Sequence, residues 1–326
     1  MTVLLTGAAG FIGMYVAKAL IAAGHDVVGL DNLNDYYDPR LKQARLDQIS
    51  VAPGAERFSF VCGDITDRPL LDRLFAEHRF TRVIHLAAQA GVQYSLKNPG
   101  SYIRANIDGF YEVIDCCRAY GVERLLFAGS SSVYGKNREY PYRTTDRTDQ
   151  PVSLYAATKK ADELIAYAYG EAFGVRSVSM RFFTVYGPWG RPDMAPYIFT
   201  KAAFEGNPIY LNNGGKMWRD FTYIDDIVSG IMALFNGVDT DETPLYRVYN
   251  IGNNRSVALG DLVKAIEEAS GHELEKIERP LPVGDVLRTY ADIEPMREDY
   301  NWEPRTELRE GIERFVAWYR EFELRQ

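Results

Sequence analysis

The chain is 326 residues long and carries a formal net charge of −8. That length accommodates a full α/β core with an attached lobe, and the acidic balance argues against nucleic acid as the main partner. No apolar run reaches membrane-spanning length and the first residues read as a strand, not a signal peptide, so a cytoplasmic chain with no membrane partner is expected.

Val3-Leu4-Leu5-Thr6 is a short apolar run ending at Gly7 and reads as a buried strand. Phe11, Ile12, Val16, Ala19 and Leu20 follow at helical spacing, and Gly24 stops them. Val27–Leu30 is the next strand, ended by Asp31. Strand, glycine turn, helix and second strand are the context in which a glycine cluster binds a dinucleotide. The cluster here is Gly7, Gly10 and Gly13, spaced G-x-x-G-x-x-G. Gly7 permits the tight turn, Gly10 lets the backbone approach a pyrophosphate, and Gly13 lets the helix pack closely on the strand. The helix N-terminus then offers unpaired N–H groups and positive dipole to the phosphates. A carboxylate at Asp31 accepts the adenosine ribose hydroxyls and repels a 2′-phosphate, which favours NAD over NADP.

More strand–helix units follow. Phe58–Val61 runs into Gly63-Asp64-Ile65, Arg82–Leu86 into Ala87-Ala88-Gln89, Leu125–Ala128 into Ser130-Ser131-Ser132, and Val175–Met180 into Arg181-Phe182-Phe183. This alternation predicts an α/β fold, a Rossmann-type doubly wound parallel sheet with helices on both faces. Ligands then lie beyond the carboxyl ends of the strands, where Asp64, Ala87, Ser130 and Phe183 fall. The expected division is an NAD-binding domain over 1–181 and a smaller C-terminal α/β substrate-binding lobe over 182–326, some segments of which return to the first domain. Cys62, Cys116 and Cys117 lack zinc-site spacing and imply no disulfide framework. Cys116 and Cys117 read as helix packing residues. His25, His78, His85 and His272 are scattered, so no metal site is expected, and His85 reads as a near-core histidine.

Ser153–Phe173 reads as a helix capped by Ser153 and stopped by Gly174. Tyr155 and Lys159 are four residues apart and share one face of it. An ammonium beside a phenol, together with the charge of oxidised nicotinamide, favours the phenolate. Tyr155 can then take the proton of a sugar hydroxyl while hydride leaves the same carbon. The hydroxyl of Ser130 or Ser131 can orient that oxygen. Paired with the glycine turn, these residues point to sugar or alcohol redox chemistry at a nicotinamide.

On these residues the chain resembles the extended short-chain dehydrogenase/reductase family of nucleotide-sugar epimerases and dehydratases, over essentially its whole length. Within it, Asp31–Pro39, His85–Gly91, Pro151–Lys159, Arg181–Met194 and Arg219–Asp226 are similar to the UDP-glucuronate 4-epimerases. The family usually shows a basic residue where Gln93 stands and Pro-Ala where Leu287-Arg288 stands. The resemblance implies reversible C4 epimerisation of UDP-glucuronate to UDP-galacturonate through a 4-keto sugar, with Tyr155 as acid/base and bound NAD regenerated in each cycle. It also implies cofactor contacts from Gly7, Gly10, Phe11, Ile12, Gly13, Asp31, Asn32, Asp64, Ile65, Leu86, Ala87, Ala88, Gln89, Asn106, Tyr155, Lys159 and Phe182. The implied substrate contacts are Ser132, Thr184, Arg191, Arg219, Asp285 and Arg288.

Arginines suit the diphosphate of a UDP-sugar because the guanidinium fork binds phosphate oxygens in pairs. Thr184 with Arg191 suits a C6 carboxylate, where galactose-type relatives usually carry asparagine at the Thr184 position. Asp225-Asp226 is expected to cap the helix that follows it. The triplet before Val133-Tyr134-Gly135 ends in Ser131 and Ser132, where dehydratases carry Asp-Glu and decarboxylases a glutamate, so epimerisation is favoured. Three alternatives stay open: a 4-epimerase of neutral UDP-glucose or UDP-N-acetylglucosamine, a UDP-glucuronate decarboxylase, and a catalytically idle NAD-binding protein. The resemblance implies a homodimer through helices over Ser101–Tyr120 and Ser153–Phe173, where Ala161, Leu164, Ile165 and Ala168 fit either the shared face or packing on their own sheet.

Overall fold

Val3, Leu4 and Leu5 fill the fully buried middle of the first strand, β1 (Thr2–Thr6). The computed structural model describes residues 1–324. Its chain forms two compact units, one of residues 1–137, 144–181 and 228–249, the other of 138–143, 182–227 and 250 onward. The division is therefore discontinuous: the hexapeptide 138–143 goes with the second unit and 228–249 with the first.

The helix after β1 is α1 (Phe11–Ala22), and β2 (Asp26–Asp31) leads to α2 (Pro39–Ser50). There follow β3 (Phe58–Cys62), α3 (Arg68–His78), β4 (Arg82–His85), α4 (Val92–Lys97), α5 (Pro99–Tyr102), α6 (Gly109–Ala119), β5 (Arg124–Ser130), α7 (Leu154–Phe173), β6 (Ser177–Phe182) and β7 (Tyr246–Ile251). The seven strands form one sheet in the order β7-β6-β5-β4-β1-β2-β3. The pairings of β1 with β2 and β4, of β2 with β3 and of β4 with β5 are all parallel. The strand order reverses between β1 and β4, and at such a switch point the loops leaving the carboxyl ends diverge and open a crevice. Leu71, Phe75, Val83, Phe110, Val113, Leu125 and Phe127 make a dry core that fixes the sheet and so the positions of those loops.

Two expectations need correction. The stretch 101–120 is not one α-helix: Ile103–Asp108 is a π-helical segment between α5 and α6. Such segments often sit at functional positions, and this one carries Asn106. Asp226 also does not cap its own helix. It lies in the first turn of Ile224–Asn236, and its carboxylate accepts from the N–H groups of Arg305 and Thr306, 3.0 Å each. Cys116 and Cys117 are buried, as packing residues should be.

The second unit is built from short pieces. Thr184–Tyr186 pairs in parallel with Phe221–Tyr223, and Trp218–Arg219 pairs antiparallel with Val257–Ala258. The helices Ala195–Glu205, Leu259–Ser270 and Leu308–Phe322 pack together, with Tyr197, Phe315, Trp318 and Tyr319 in ring contact.

Candidate active site

The glycine turn after β1 leaves no room for side chains. A Cβ at Gly13 would lie 2.0 Å from the Gly7 carbonyl oxygen, and one at Gly7 would lie 2.7 Å from the Ala87 nitrogen. Gly7 also has a φ of +73°, the left-handed region that favours glycine. The first turn of α1 carries no acidic side chain, and Gly10 at its N-cap offers no side-chain cap to the helix N–H groups. Asp31 holds the turn from β2: its carboxylate accepts from the N–H of Ala9 at 3.2 Å and of Leu33 at 2.9 Å. Asp64 accepts from Asn32 Nδ2 at 2.8 Å and from the Thr66 N–H and hydroxyl at 2.9 and 2.8 Å. Partial burial opposes the charge on Asp64, yet these donors hold its carboxyl below the usual range. A backbone cradle with an anion-seeking helix end and a carboxylate at the end of β2 fits a dinucleotide with a free 2′-hydroxyl.

The loop after β4 is braced by the π-helical segment. Asn106, almost fully buried, accepts from the Gln89 N–H at 2.8 Å and donates to the Gln89 carbonyl and to Thr158 Oγ1, both at 3.0 Å. Thr158 in turn donates to the carbonyl of Tyr155 at 2.9 Å. One buried amide thus ties the loop of Leu86, Ala87, Ala88 and Gln89 to the helix Leu154–Phe173, α7. Ile65 is buried beside this region's core, and Phe11 is buried at the start of α1.

α7 begins as its sequence dictates. Ser153 accepts from the Ala156 N–H at 3.1 Å, and Gly174 ends α7 with a φ of +73°. Tyr155 is half-buried, with the ring of Tyr102 set edge-on at 6.1 Å. Tyr102 is fully buried and donates to the carbonyls of Ala90 and Gly91. Lys159 is buried and its Nζ lies 3.0 Å from Asp162, a carboxylate with no solvent exposure. Burial pushes the Asp162 carboxyl up to about 6, against the pull of Lys159. His85 lies beneath: Thr6 Oγ1 accepts from the Ala87 N–H at 3.2 Å and faces His85 Nδ1 at 2.8 Å. Burial, with the Lys159 charge added, pushes His85 down to about 3, so its ring is neutral.

Glu163 and Arg181 brace the same helix on β6, with Nε–Oε1 2.7 Å and Nη2–Oε2 2.8 Å, both side chains buried. Arg181 Nη1 also donates to Tyr134 Oη at 3.0 Å, next to the serine turn. Ser130 caps that turn: its Oγ accepts from the Ser132 N–H at 3.2 Å and lies 3.1 Å from Ser132 Oγ. Ser131 and Ser132 are half-exposed while Ser130 is buried. The sequence reading missed Asp162, Glu163 and Tyr102. Arg181 opens one of the family-like stretches and Glu163 lies outside them on the predicted helix, but nothing in one sequence pairs the two.

In the second unit, Arg219 Nη2 donates to Asp285 at 2.6 Å. Arg288 Nε donates to Ser256 Oγ at 3.0 Å, and its guanidinium lies over the rings of Tyr140 and Tyr290 at 5.4 and 5.7 Å. Hydrogen bonds from the Trp218 N–H to Leu287 and from the Thr289 N–H to Trp218 bring Arg219, Asp285 and Arg288 onto one ladder. Thr184 joins it through its N–H to the Asp220 carbonyl, 3.0 Å. Asp220 is the buried hub, accepting from the N–H groups of Asn253 and Ala291 at 2.6 and 3.0 Å and from Thr222 at 3.1 Å. Arg191 is held in its own loop by Asp193, with Nε–Oδ1 3.0 Å and Nη2–Oδ2 2.5 Å. Phe182 is buried at the end of β6. Among the described residues no group of three metal-ligating side chains is gathered, and no helix is long and apolar enough to cross a membrane.

The model of the NAD dependent epimerase/dehydratase family matches residues 3–252. UDP-glucuronate 4-epimerase 4 of Arabidopsis thaliana is 45% identical over 334 residues, covering 98% of this chain and 75% of that protein. Protein CapI of Staphylococcus aureus is 44% identical over 335 residues, 99% of each chain. Among solved structures, the UDP-glucuronic acid 4-epimerase of Bacillus cereus, in complex with UDP-glucuronic acid and NAD, aligns with a TM-score of 0.91 at 30% identity, over 98% of this chain and 99% of that one. The chain belongs to the NAD-dependent epimerase/dehydratase family.

Proposed function

We propose that the protein interconverts UDP-glucuronate and UDP-galacturonate by inverting C4, with NAD as a resident cofactor. The observation that carries this reading is the serine turn. Tyr155 and Lys159 are intact on α7, yet the turn at the end of β5 offers only hydroxyls from Ser130, Ser131 and Ser132. Hydroxyls orient a sugar oxygen but cannot run the acid/base steps of elimination at neutral pH. Relatives named for this activity align with nearly the whole chain, which supports the same assignment.

Gly7, Gly10, Phe11, Ile12 and Gly13 would hold the pyrophosphate, Asp31 and Asn32 the adenosine ribose, and Asp64 and Ile65 the adenine. Leu86 to Gln89, Tyr155, Lys159 and Phe182 would hold the nicotinamide end. When bound, NAD supplies the oxidant that takes hydride from C4 and gives it back. Tyr155 Oη accepts the C4 hydroxyl proton and later returns it to the ketone oxygen. Lys159 places positive charge beside that phenol, and Ser131 and Ser132 orient the sugar oxygen. Arg219, Asp285 and Arg288 take the UDP portion, so binding energy comes from groups remote from the reacting carbon. The ketone can then turn over about the diphosphate link without losing its anchor. Thr184 and Arg191 bind the C6 carboxylate, the specificity element of the reading.

The enzyme is proposed to work in the cytoplasm, which suits its three free thiols. It is also proposed to form a homodimer. Leu96, Ile103 and Tyr111 are exposed on the stretch from α4 to α6, and Leu164 and Tyr167 on α7, apolar side chains that pairing with a second copy would take out of water. Incubation with UDP-glucuronate, with UDP-galacturonate resolved from UDP-pentoses, tests the activity. Faster turnover of UDP-glucose, or a mainly pentose product, would overturn it.

A further inference from the structure

We infer that Tyr36 and Tyr94 form a clasp that keeps NAD on the enzyme between the two halves of the reaction. β1 lies between β4 and β2 in the sheet. The loops leaving the carboxyl ends of β2 and β4 therefore flank the glycine turn that leaves β1. Tyr36 stands on the first of these loops and Tyr94 on α4, after the second. Their ring centroids are 4.7 Å apart at an interplanar angle of 52°. The two loops thus meet across the place where the dinucleotide must run from Asp31 toward Tyr155.

The outer jaw is prebuilt. Asn34 N–H donates to Asn32 Oδ1 at 3.1 Å and Tyr36 N–H to Asn34 Oδ1 at 3.3 Å, while Asn32 Nδ2 reaches Asp64 at 2.8 Å. Two buried cations of α2 pin this jaw from below. Lys42, 5% exposed, donates from Nζ to Asn34 Oδ1 at 2.9 Å. Arg45, 0% exposed, donates from Nη1 to the Ala9 carbonyl of the glycine turn at 3.2 Å and to Tyr37 Oη at 2.5 Å. Two cations this deep are costly to desolvate, and neither has a role in moving protons or hydride. Holding the loop over the turn accounts for both. The inner jaw is set by Tyr102, whose ring lies 6.3 Å from Tyr94 and 6.1 Å from Tyr155. Tyr36 and Tyr94 are themselves only half-buried, so the clasp can open by side-chain rotation.

Retention matters because hydride taken from C4 must return within the same turnover. A cofactor lost in between would strand a ketone that the enzyme has no means to reduce. This reason rests on the epimerase reading, but the clasp is tested without any sugar. Protein loaded with the reduced dinucleotide is mixed with excess NAD, and the release rate is followed by nicotinamide fluorescence. Tyr36→Ala and Tyr94→Ala should each speed release about two- to tenfold, the range an aromatic pair contributes. The double variant should be no faster than the faster single one, because both remove the same contact. Tyr36→Phe keeps the ring and should release at the wild-type rate. If Tyr94→Ala fails to fold, the Tyr36 variants carry the test alone, on an exposed loop. Wild-type release from Tyr36→Ala, or acceleration by Tyr36→Phe equal to that of Tyr36→Ala, overturns the clasp. Either result leaves the epimerase assignment standing.

Discussion

Tyr155 and His85 show how two titratable side chains of the same unit serve opposite ends. Tyr155 is half-exposed and is the group proposed to move a proton. Tyr155→Phe removes only its hydroxyl and leaves the edge-on contact with Tyr102 in place. Turnover is expected to fall by about two to four orders of magnitude, with the circular dichroism spectrum unchanged; a rate within tenfold of wild type would reject it as the base. His85 must not move a proton at all. Its folded form stays neutral down to about 3, while an unfolded histidine takes up a proton near 6.5. Between those values the unfolded chain binds one proton more than the folded one. Stability from this residue is therefore full above pH 6.5 and lost progressively as pH falls toward 3. At pH 5 the loss is about 2 kcal/mol. Unfolding free energies from urea titrations of wild type and His85→Gln should run nearly parallel above pH 6.5 and diverge below it, the variant's slope becoming shallower by up to one proton by pH 5; parallel slopes from pH 6.5 to 5 would remove the assignment.

Elements were the most legible level of this sequence, and the reasons are local. α7 could be bounded because Ser153 and Gly174 are a hydrogen-bonding cap and a left-handed stop, signals that act within one turn. The β-strands were legible because a sheet covered on both faces leaves continuous apolar runs. The π-helical segment was not, since its extra residue per turn leaves no mark in apolar spacing. What it achieves, turning Asn106 toward both Gln89 and Thr158, is a tertiary outcome. Asp226 was misjudged for a similar reason: an aspartate at a helix start is read as a cap, yet here it binds N–H groups 79 and 80 residues away. The α7 surface carries the next prediction. Leu164 is 59% exposed, so a charge there costs the folded monomer little. Leu164→Glu should convert a dimer to a monomer in light scattering at micromolar concentration, with thermal unfolding then independent of protein concentration. A wild-type monomer, or a dimer unmoved by the substitution, rules this face out.

At the scale of the whole molecule the proposed roles sort by unit. Every group assigned to proton movement lies in the first unit, and the arginines assigned to the nucleotide and the carboxylate lie in the second. Sequence reading found these arginines one by one, but not Asp220, the hub to which Thr184 and the ladder of Arg219 are tied, because a buried aspartate without a cation looks like any surface carboxylate in a sequence. The division has a consequence for specificity. Changes in the second unit should alter which sugar is used without altering cofactor binding. Arg191 is the sharpest case, since Asp193 grips its guanidinium through two hydrogen bonds and fixes its orientation. A charge-assisted hydrogen bond to a carboxylate is worth about 1.5–3 kcal/mol. Arg191→Ala should therefore lower kcat/KM for UDP-glucuronate by about one to two decades, while UDP-glucose, which lacks the carboxylate, loses far less. The partition between UDP-galacturonate and pentose should shift toward pentose as well. A carboxylate held near the plane of the ketone resists decarboxylation, and on the proposed role of Arg191 its loss would loosen that hold. NAD affinity should not change. Equal losses on both sugars, with NAD binding intact, would mean that Arg191 reads something common to the two substrates, and the carboxylate would have to be recognised elsewhere.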